Sequence, residues 1–265
     1  MPSVEENLEL WNDKSNWHRA GDEWSTPFGN TEALWWFVIY PRIHRFVPVV
    51  RTLEIAPGHG RWTQYLRQLC DHLIAVDLSP KCIEECKDRF SKFSNITYHV
   101  NDGRSLDAVA DGSIDFAFSF DSLVHAEKDV IEAYVRQLGR KLTTNGVAFL
   151  HHSNIGHYSM MLGLLNRVPQ PLKLRKIAFR FANLHVCGRA TSMTAAAFRQ
   201  ICRTAGVSCI SQELISWAHG RRMIDAISIF TRPESIWDKP NHVLENPNFR
   251  PRANEIKALS TLYAF

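Results

Sequence analysis

The sequence predicts an α/β protein built on a doubly wound, mostly parallel sheet of seven strands, with an antiparallel last strand. Three observations lead there. Short apolar runs alternate with helical patterns between positions 49 and 152, the arrangement that gives parallel strands joined by crossover helices. A glycine turn, Ala56-Pro-Gly-His-Gly60, follows directly on the first apolar run. Three successive runs end in or just before an acid: Asp77, Asp102 and Asp121. Sheets of this kind bind ligands at the carboxyl ends of their strands, so the three acids fall on one functional edge.

The elements follow in order. Residues 1–48 form an N-terminal extension crowded with Trp11, Trp17, Trp24, Phe28, Trp35, Trp36, Phe37 and Tyr40, and it is expected to be a helical cap. Arg51 to Ile55 reads as a buried strand running into the glycine turn. Gly58 and Gly60 let backbone approach a ligand with no Cβ in the way, and a helix starting there aims free N–H groups at it. Asp77 lies 23 positions after Glu54, about where a βαβ unit sets a carboxylate against ribose hydroxyls. That describes a nucleoside-cofactor site. A dinucleotide fingerprint would place a third glycine where this chain has Thr63.

A helix with Ile83 and Phe90 on one face comes next, then a strand from Ile96 ending at Asp102-Gly103. The run Gly112 to Asp121 makes a fourth strand, Lys128 to Leu142 a helix, and Val147 to His152 a fifth strand. Residues 153–191 are an insertion with an apolar stretch at Met160 to Leu165, a Pro169-Gln-Pro171 break and a basic helix. A further helix is expected from Met193 to Ala205, with Ser192 or Thr194 able to cap it. Val207 to Trp217 and Met223 to Thr231 alternate as paired final strands. The tail, 233–265, is polar, carries four prolines and ends in a short helix. The whole reads as one domain: cap 1–48, cofactor-binding half 49–152, lid insertion 153–191, second half of the sheet 192–232, and tail.

At 265 residues, 45% hydrophobic and 22% charged, the chain has ample material for a core. No run of about 18 apolar residues exists to span a bilayer, and Met1 to Glu9 is acidic with no apolar signal region. Six cysteines show no paired metal-ligand spacing; Cys82 and Cys86, one helical turn apart, suit packing better than a disulfide. A reducing cytoplasm is the expected compartment. The net charge of +4 divides unevenly. Between Gln170 and Arg232 ten Lys or Arg accompany two acids, giving +8 there and −4 elsewhere. An anionic acceptor or surface is one explanation of that segment, a solvated helix face the other.

The pattern acid-x-x-x-Gly-x-Gly at Glu54 to Gly60, with Asp77, Asp102 and Asp121 in order behind it, resembles the class I S-adenosylmethionine (SAM) dependent methyltransferases. The resemblance implies a Rossmann-like fold with SAM as cofactor. It places the methionine half at the turn, an acid such as Asp102 beside the adenine amino group, and the end of strand four along the methionine arm. The implied cofactor-binding set is Glu54, Ala56, Pro57, Gly58, Gly60, Asp77, Leu78, Asp102, Gly103, Phe120 and Asp121. Four blocks, Gly21 to Trp35, Leu53 to Arg61, Phe118 to His125 and His151-His-Ser-Asn154, resemble bacterial methyltransferases of glycan and O-antigen biosynthesis. That implies O-methylation of a sugar hydroxyl, with Trp24 and Phe28 among the candidates to line the acceptor site.

Methyl transfer to oxygen requires positioning of two reactants and removal of a proton, for which a base of near-neutral pKa is suited. Histidine is the usual choice. His151 and His152 end strand five and His125 lies just past strand four, so the order of preference is His152, His125, His151. Arg175, Arg180, Arg189, Arg221 and Arg222 are the candidates to hold an anionic or nucleotide-linked acceptor group. Strand five ends without a carboxylate, so no metal is expected. N- or O-methylation of another small metabolite is the alternative. A nucleic-acid acceptor is less expected, since Phe120-Asp-Ser-Leu stands where amino-methylating DNA enzymes carry an Asn/Asp-Pro-Pro-Tyr/Phe tetrad. Leu172 to Phe181 joins basic and apolar residues in one helix and admits peripheral membrane contact. The oligomeric state is left open.

Overall fold

Eight strands form one sheet in the computed structural model, which describes residues 3–14, 17–167, 188–217 and 222–263. They are β1 (Val49–Ile55), β2 (Cys70–Asp77), β3 (Ile96–Val100), β4 (Ile114–Ser119), β5 (Leu142–Ser153), β6 (Ser208–Ile215), β7 (Asp225–Thr231) and β8 (His242–Asn246), arranged 3-2-1-4-5-7-6-8. Strands 1 to 5 are parallel, and β7 runs antiparallel to both β5 and β6. The doubly wound α/β class is as the sequence predicts.

Burial explains why the central strands read as continuous apolar runs rather than alternating ones. Both faces of the sheet are covered, so successive residues enter different cores. Ala117 joins Leu53, Ile131, Leu138 and Phe198 on one side, while its neighbours Phe116 and Phe118 join Trp35, Phe90 and Phe149 on the other. Phe118 and Phe149 are register partners, and their rings stack 5.5 Å apart. Helix Lys128–Lys141 follows β4, as expected. Helix Ala195–Ala205 starts two residues later than its pattern suggests, because the Thr194 hydroxyl accepts from Ala197 N–H and fixes the cap there.

The sheet goes one strand beyond the seven expected. β8 comes from the polar tail and pairs parallel with β6 at the edge of the sheet. Four of its five residues are exposed, so no inside–outside alternation announced it. The tail then turns at Phe249, whose ring meets Phe28 of the N-terminal segment, into helix Ala253–Tyr263, whose Ala253 joins the same core cluster.

The N-terminal segment is helical in short pieces: Val4–Glu9, a 3₁₀ turn at Asp22–Phe28, and a kinked run from Thr31 to Ile43. Its aromatic residues divide. Phe28 and Trp35 are fully buried in the core. Trp11, Trp17 and Trp24 pack on one another over the strand ends, with ring centres 4.8–5.9 Å apart. Of the insertion after β5, residues 153–167, with Ile155–Tyr158 and helix Ser159–Asn166, and residues 188–191 are described. Its basic helix, with Arg175 and Arg180, lies outside the described residues, as does Arg221. Among the described residues, no helix is long and apolar enough to cross a membrane.

Candidate active site

A cavity of about 940 Å³, open mouth included, lies over the carboxyl ends of β1, β2 and β4. Its floor is the turn after β1. Ala56 and Gly58 both have φ of +58°, and a Cβ on Gly58 would sit 2.8 Å from the ring of Trp17. Gly60 serves packing instead: at φ +86° its missing Cβ would stand 2.3 Å from Phe90. It does not line the cavity.

Asp77 ends β2 with one carboxylate oxygen accepting from Gly58 N–H at 3.0 Å and the other from Ser79 N–H at 2.8 Å. Burial pushes its carboxyl up to about 6, against the pull of those N–H groups. Glu54, one strand over, is fully enclosed beneath the turn and off the cavity. The Thr63 hydroxyl donates to it at 2.6 Å. Burial raises Glu54 to about 8, so it stands protonated at neutral pH. Thr63 thus ties the turn to β1 at the position where a dinucleotide fold keeps a glycine.

The placement corrects several expectations. Asp102 is exposed and turned away. One of its oxygens accepts from Arg104 and Ser105 N–H, and it is Gly103 beside it that meets the cavity. Phe120 is buried among Trp62, Phe149, His151 and Trp217, and only its carbonyl does polar work, accepting from Trp62 Nε1–H. Phe28 belongs to the core. Arg189 is buried and closes a two-pronged ion pair on Asp225, both contacts at 2.7 Å, so it is not placed to meet an acceptor in the cavity. Arg222 sets its guanidinium 5.4 Å over the ring of Tyr158 and likewise lies off the cavity.

The histidines sort differently from their order in the sequence. His152 is 0% exposed, stacked 4.4 Å from Phe198, its Nδ1–H donating to Ser153 O and its Nε2 accepting from the Ser228 hydroxyl. Alternation along β5 turns it into the helix-covered core. His151 faces the other way, equally buried, with Nδ1 accepting from Asp121 N–H at 3.0 Å. His125, on the 3₁₀ turn after β4, lines the cavity beside Trp11. Its Nδ1 lies 3.0 Å from Gly188 O. A carbonyl only accepts, so Nδ1 carries the proton and Nε2 is the basic nitrogen. Burial holds its pKa below the usual imidazole value.

The burial of His152 has a measurable consequence. Burial lowers its pKa to about 4, so the unfolded chain takes up a proton first as pH falls. The stability contributed by the neutral ring is complete above about pH 6.5 and is lost on descending toward 4, by roughly 2–4 kcal/mol. Urea unfolding at pH 7 and pH 5 should show this loss, and His152→Phe should flatten it. Equal slopes for the two proteins would refute the assignment.

The cavity also holds a residue that sequence reasoning passed over. Arg61 follows Gly60 directly, is 5% exposed, and lies between Trp62 and Trp24 with its guanidinium carbon 4.5 and 5.5 Å from their rings. Its Nη2 donates to Asp121 at 2.8 Å, while its buried Nη1 has no hydrogen-bond partner among the described residues. A cation in the turn of a nucleoside-cofactor site was the available signal. Ala56, Pro57, Gly58, Asp77, Leu78, Gly103, Asp121, Trp24 and His125 are the sequence candidates that the fold does gather around the cavity. Among the described residues, no three His, Cys, Asp or Glu side chains come together in a way that could hold a metal ion.

Residues 52–146 match the model of a methyltransferase domain, a span running from β1 into β5. The chain is similar in fold to a protein from Pyrococcus horikoshii OT3 (16% identity, TM-score 0.54, covering 84% of this chain and 95% of that one). A SAM-dependent methyltransferase from Mesorhizobium loti gives 16% identity, TM-score 0.53, and coverage of 76% and 98%. DhpI in complex with SAH gives 17% identity, TM-score 0.54, and coverage of 87% and 97%. Among curated protein sequences none matches. Identities this low carry the fold alone. Fold and domain match agree on the class: residues 52–146 match a methyltransferase domain, and the chain has the fold of the class I SAM-dependent methyltransferases. S-adenosylmethionine is the cofactor of that class.

Proposed function

We propose that the chain transfers a methyl group from SAM to a hydroxyl of a sugar or glycan precursor, with His125 accepting the proton. One observation carries the reading: of the three candidate bases, His125 lines the cavity, and its Nδ1 proton is committed to Gly188 O. Its depressed pKa keeps the ring neutral and able to accept near pH 7.

The residues present fit the cofactor. Asp77, already fixed by two backbone N–H groups, offers its remaining lone pairs to ribose hydroxyls. Arg61 Nη1 is an orphaned donor suited to the methionine carboxylate, and the Gly58 turn leaves room for backbone approach. When bound, SAM supplies a methyl group on a positively charged sulfur. The chain's own contribution is to bind and orient the two reactants, exclude water beneath Trp11, Trp17 and Trp24, and take the proton at His125 Nε2.

Two features support a sugar acceptor: the likeness of four sequence blocks to glycan methyltransferases, and the three tryptophans at the cavity roof, whose faces suit the apolar faces of pyranose rings. Mass spectrometry of nucleotide sugars and glycan extracts incubated with the protein and SAM tests the class. A sugar product heavier by one methylene supports it, and a product on an amine, protein or nucleic acid overturns it. Asp77→Ala is expected to weaken SAM binding by about 1–3 kcal/mol, the cost of leaving buried hydroxyls without an acceptor. Calorimetry with SAH checks this, and an unchanged affinity would remove Asp77 from the site.

A further inference from the structure

Asp225, the first residue of β7, is buried where neither a motif nor a strand-end position points to it. It faces two arms that both end at the cavity. On one side it receives Arg189 Nε–H and Nη2–H at 2.7 Å each. Arg189 stands between Gly188, whose carbonyl accepts from His125, and Ala190, whose N–H donates to Val124 O at 2.9 Å. Fixing Arg189 therefore fixes the carbonyl that selects the His125 tautomer. On the other side, Asp225 Oδ2 lies 3.5 Å from His151 Nε2. His151 Nδ1 accepts from Asp121 N–H, so its Nε2 must carry the proton, buried and without a hydrogen-bond partner among the described residues, with the Asp225 carboxylate the charge that faces it. Asp121 has φ of +65° and pairs with Arg61 on the cavity floor.

We propose that Asp225 is a positioning residue that orients His125 through Arg189 and Gly188, and Asp121 through His151. The buried charges are thereby accounted for: one carboxylate compensates the Arg189 guanidinium and lies 3.5 Å from the otherwise unpartnered His151 Nε2. Gly188 suits this role, since its φ of +70° disfavours a side chain and a Cβ there would come within 3.3 Å of His125 Nδ1. The kinetic part of the proposal rests on His125 being the base; the geometric part does not.

The test uses the full chain, ¹⁵N-labelled at histidine, with the His125 resonances assigned by comparison with His125→Gln. The wild-type protein should show His125 protonated at Nδ1 only. Asp225→Asn should give mixed tautomers or exchange broadening at His125. It should also lower kcat by 10- to 100-fold and move the acidic limb of the pH–rate profile. If Asp225→Asn fails to fold, Arg189→Lys keeps the buried charge, loses the two-pronged contact, and is expected to show the same changes. A folded variant with the wild-type His125 spectrum overturns the proposal. Should His125→Gln turn over normally while the tautomer shift persists, the base assignment fails and the positioning of His125 stands.

Discussion

His125→Ala is expected to lower kcat about 10²- to 10⁴-fold, the usual cost of losing a general base, with SAH affinity changed by no more than about twofold. The ring lines the cavity and makes its polar side-chain contact with Gly188 O, not with the residues that hold Asp77 in place. The loss should therefore appear in turnover and spare cofactor binding, the signature of a group used only in the transition state. The pH–rate profile gives a second check. Catalysis needs the neutral ring, so the rate should fall as pH drops through the His125 pKa, which burial places below the ordinary imidazole value. An acidic limb centred above pH 7, or a loss smaller than tenfold on substitution, would mean that positioning alone carries the reaction.

Removing residues 1–20 is expected to reduce turnover at least about 100-fold while leaving a folded core. Val4, Asn7, Trp11 and Trp17 line the cavity from this segment, and Asn7 Nδ2–H donates to the carbonyl of His125 at 3.1 Å. Without them the cavity opens to water and His125 loses a support, and small misplacements of this kind cost factors of about 100. The cut at 20 matters. Ser25 and Phe28 are fully buried, and Phe28 packs against Trp217 and Phe249, so a longer truncation would damage the core itself. Circular dichroism should report native secondary structure for the truncated protein. Full activity in that protein would show that the tryptophan roof plays no part.

The order of strands and helices from β1 to β5 was legible because a parallel strand covered on both faces is a plain apolar run punctuated by turn residues, and β6 and β7 were legible from their alternation. The positions of the glycine turn and of Asp77 were legible too, since local spacing along the chain sets both. Other assignments needed the third dimension. Asp102 and Gly103 are neighbours, and sequence could not say which of the two faces the cavity. β8 gave no signal, because an exposed edge strand has no buried face to impose a period on its residues.

By itself, the sequence determined the fold class and the end of the sheet where a nucleoside cofactor is expected, because periodicity, turns and strand-end acids are local properties of the chain. Tertiary structure alone decided which histidine meets the cavity. His152 and His151 alternate into two different buried faces, while His125 is carried over the strand ends by a 3₁₀ turn and fixed by a carbonyl 63 residues further along the chain. It also decided that Arg61, which lines the cavity, keeps a buried donor without a partner among the described residues, and that Arg189 spends its charge on Asp225. Each is a matter of which groups become neighbours on folding, and a buried charge is defined by its partner, not by its position in the sequence.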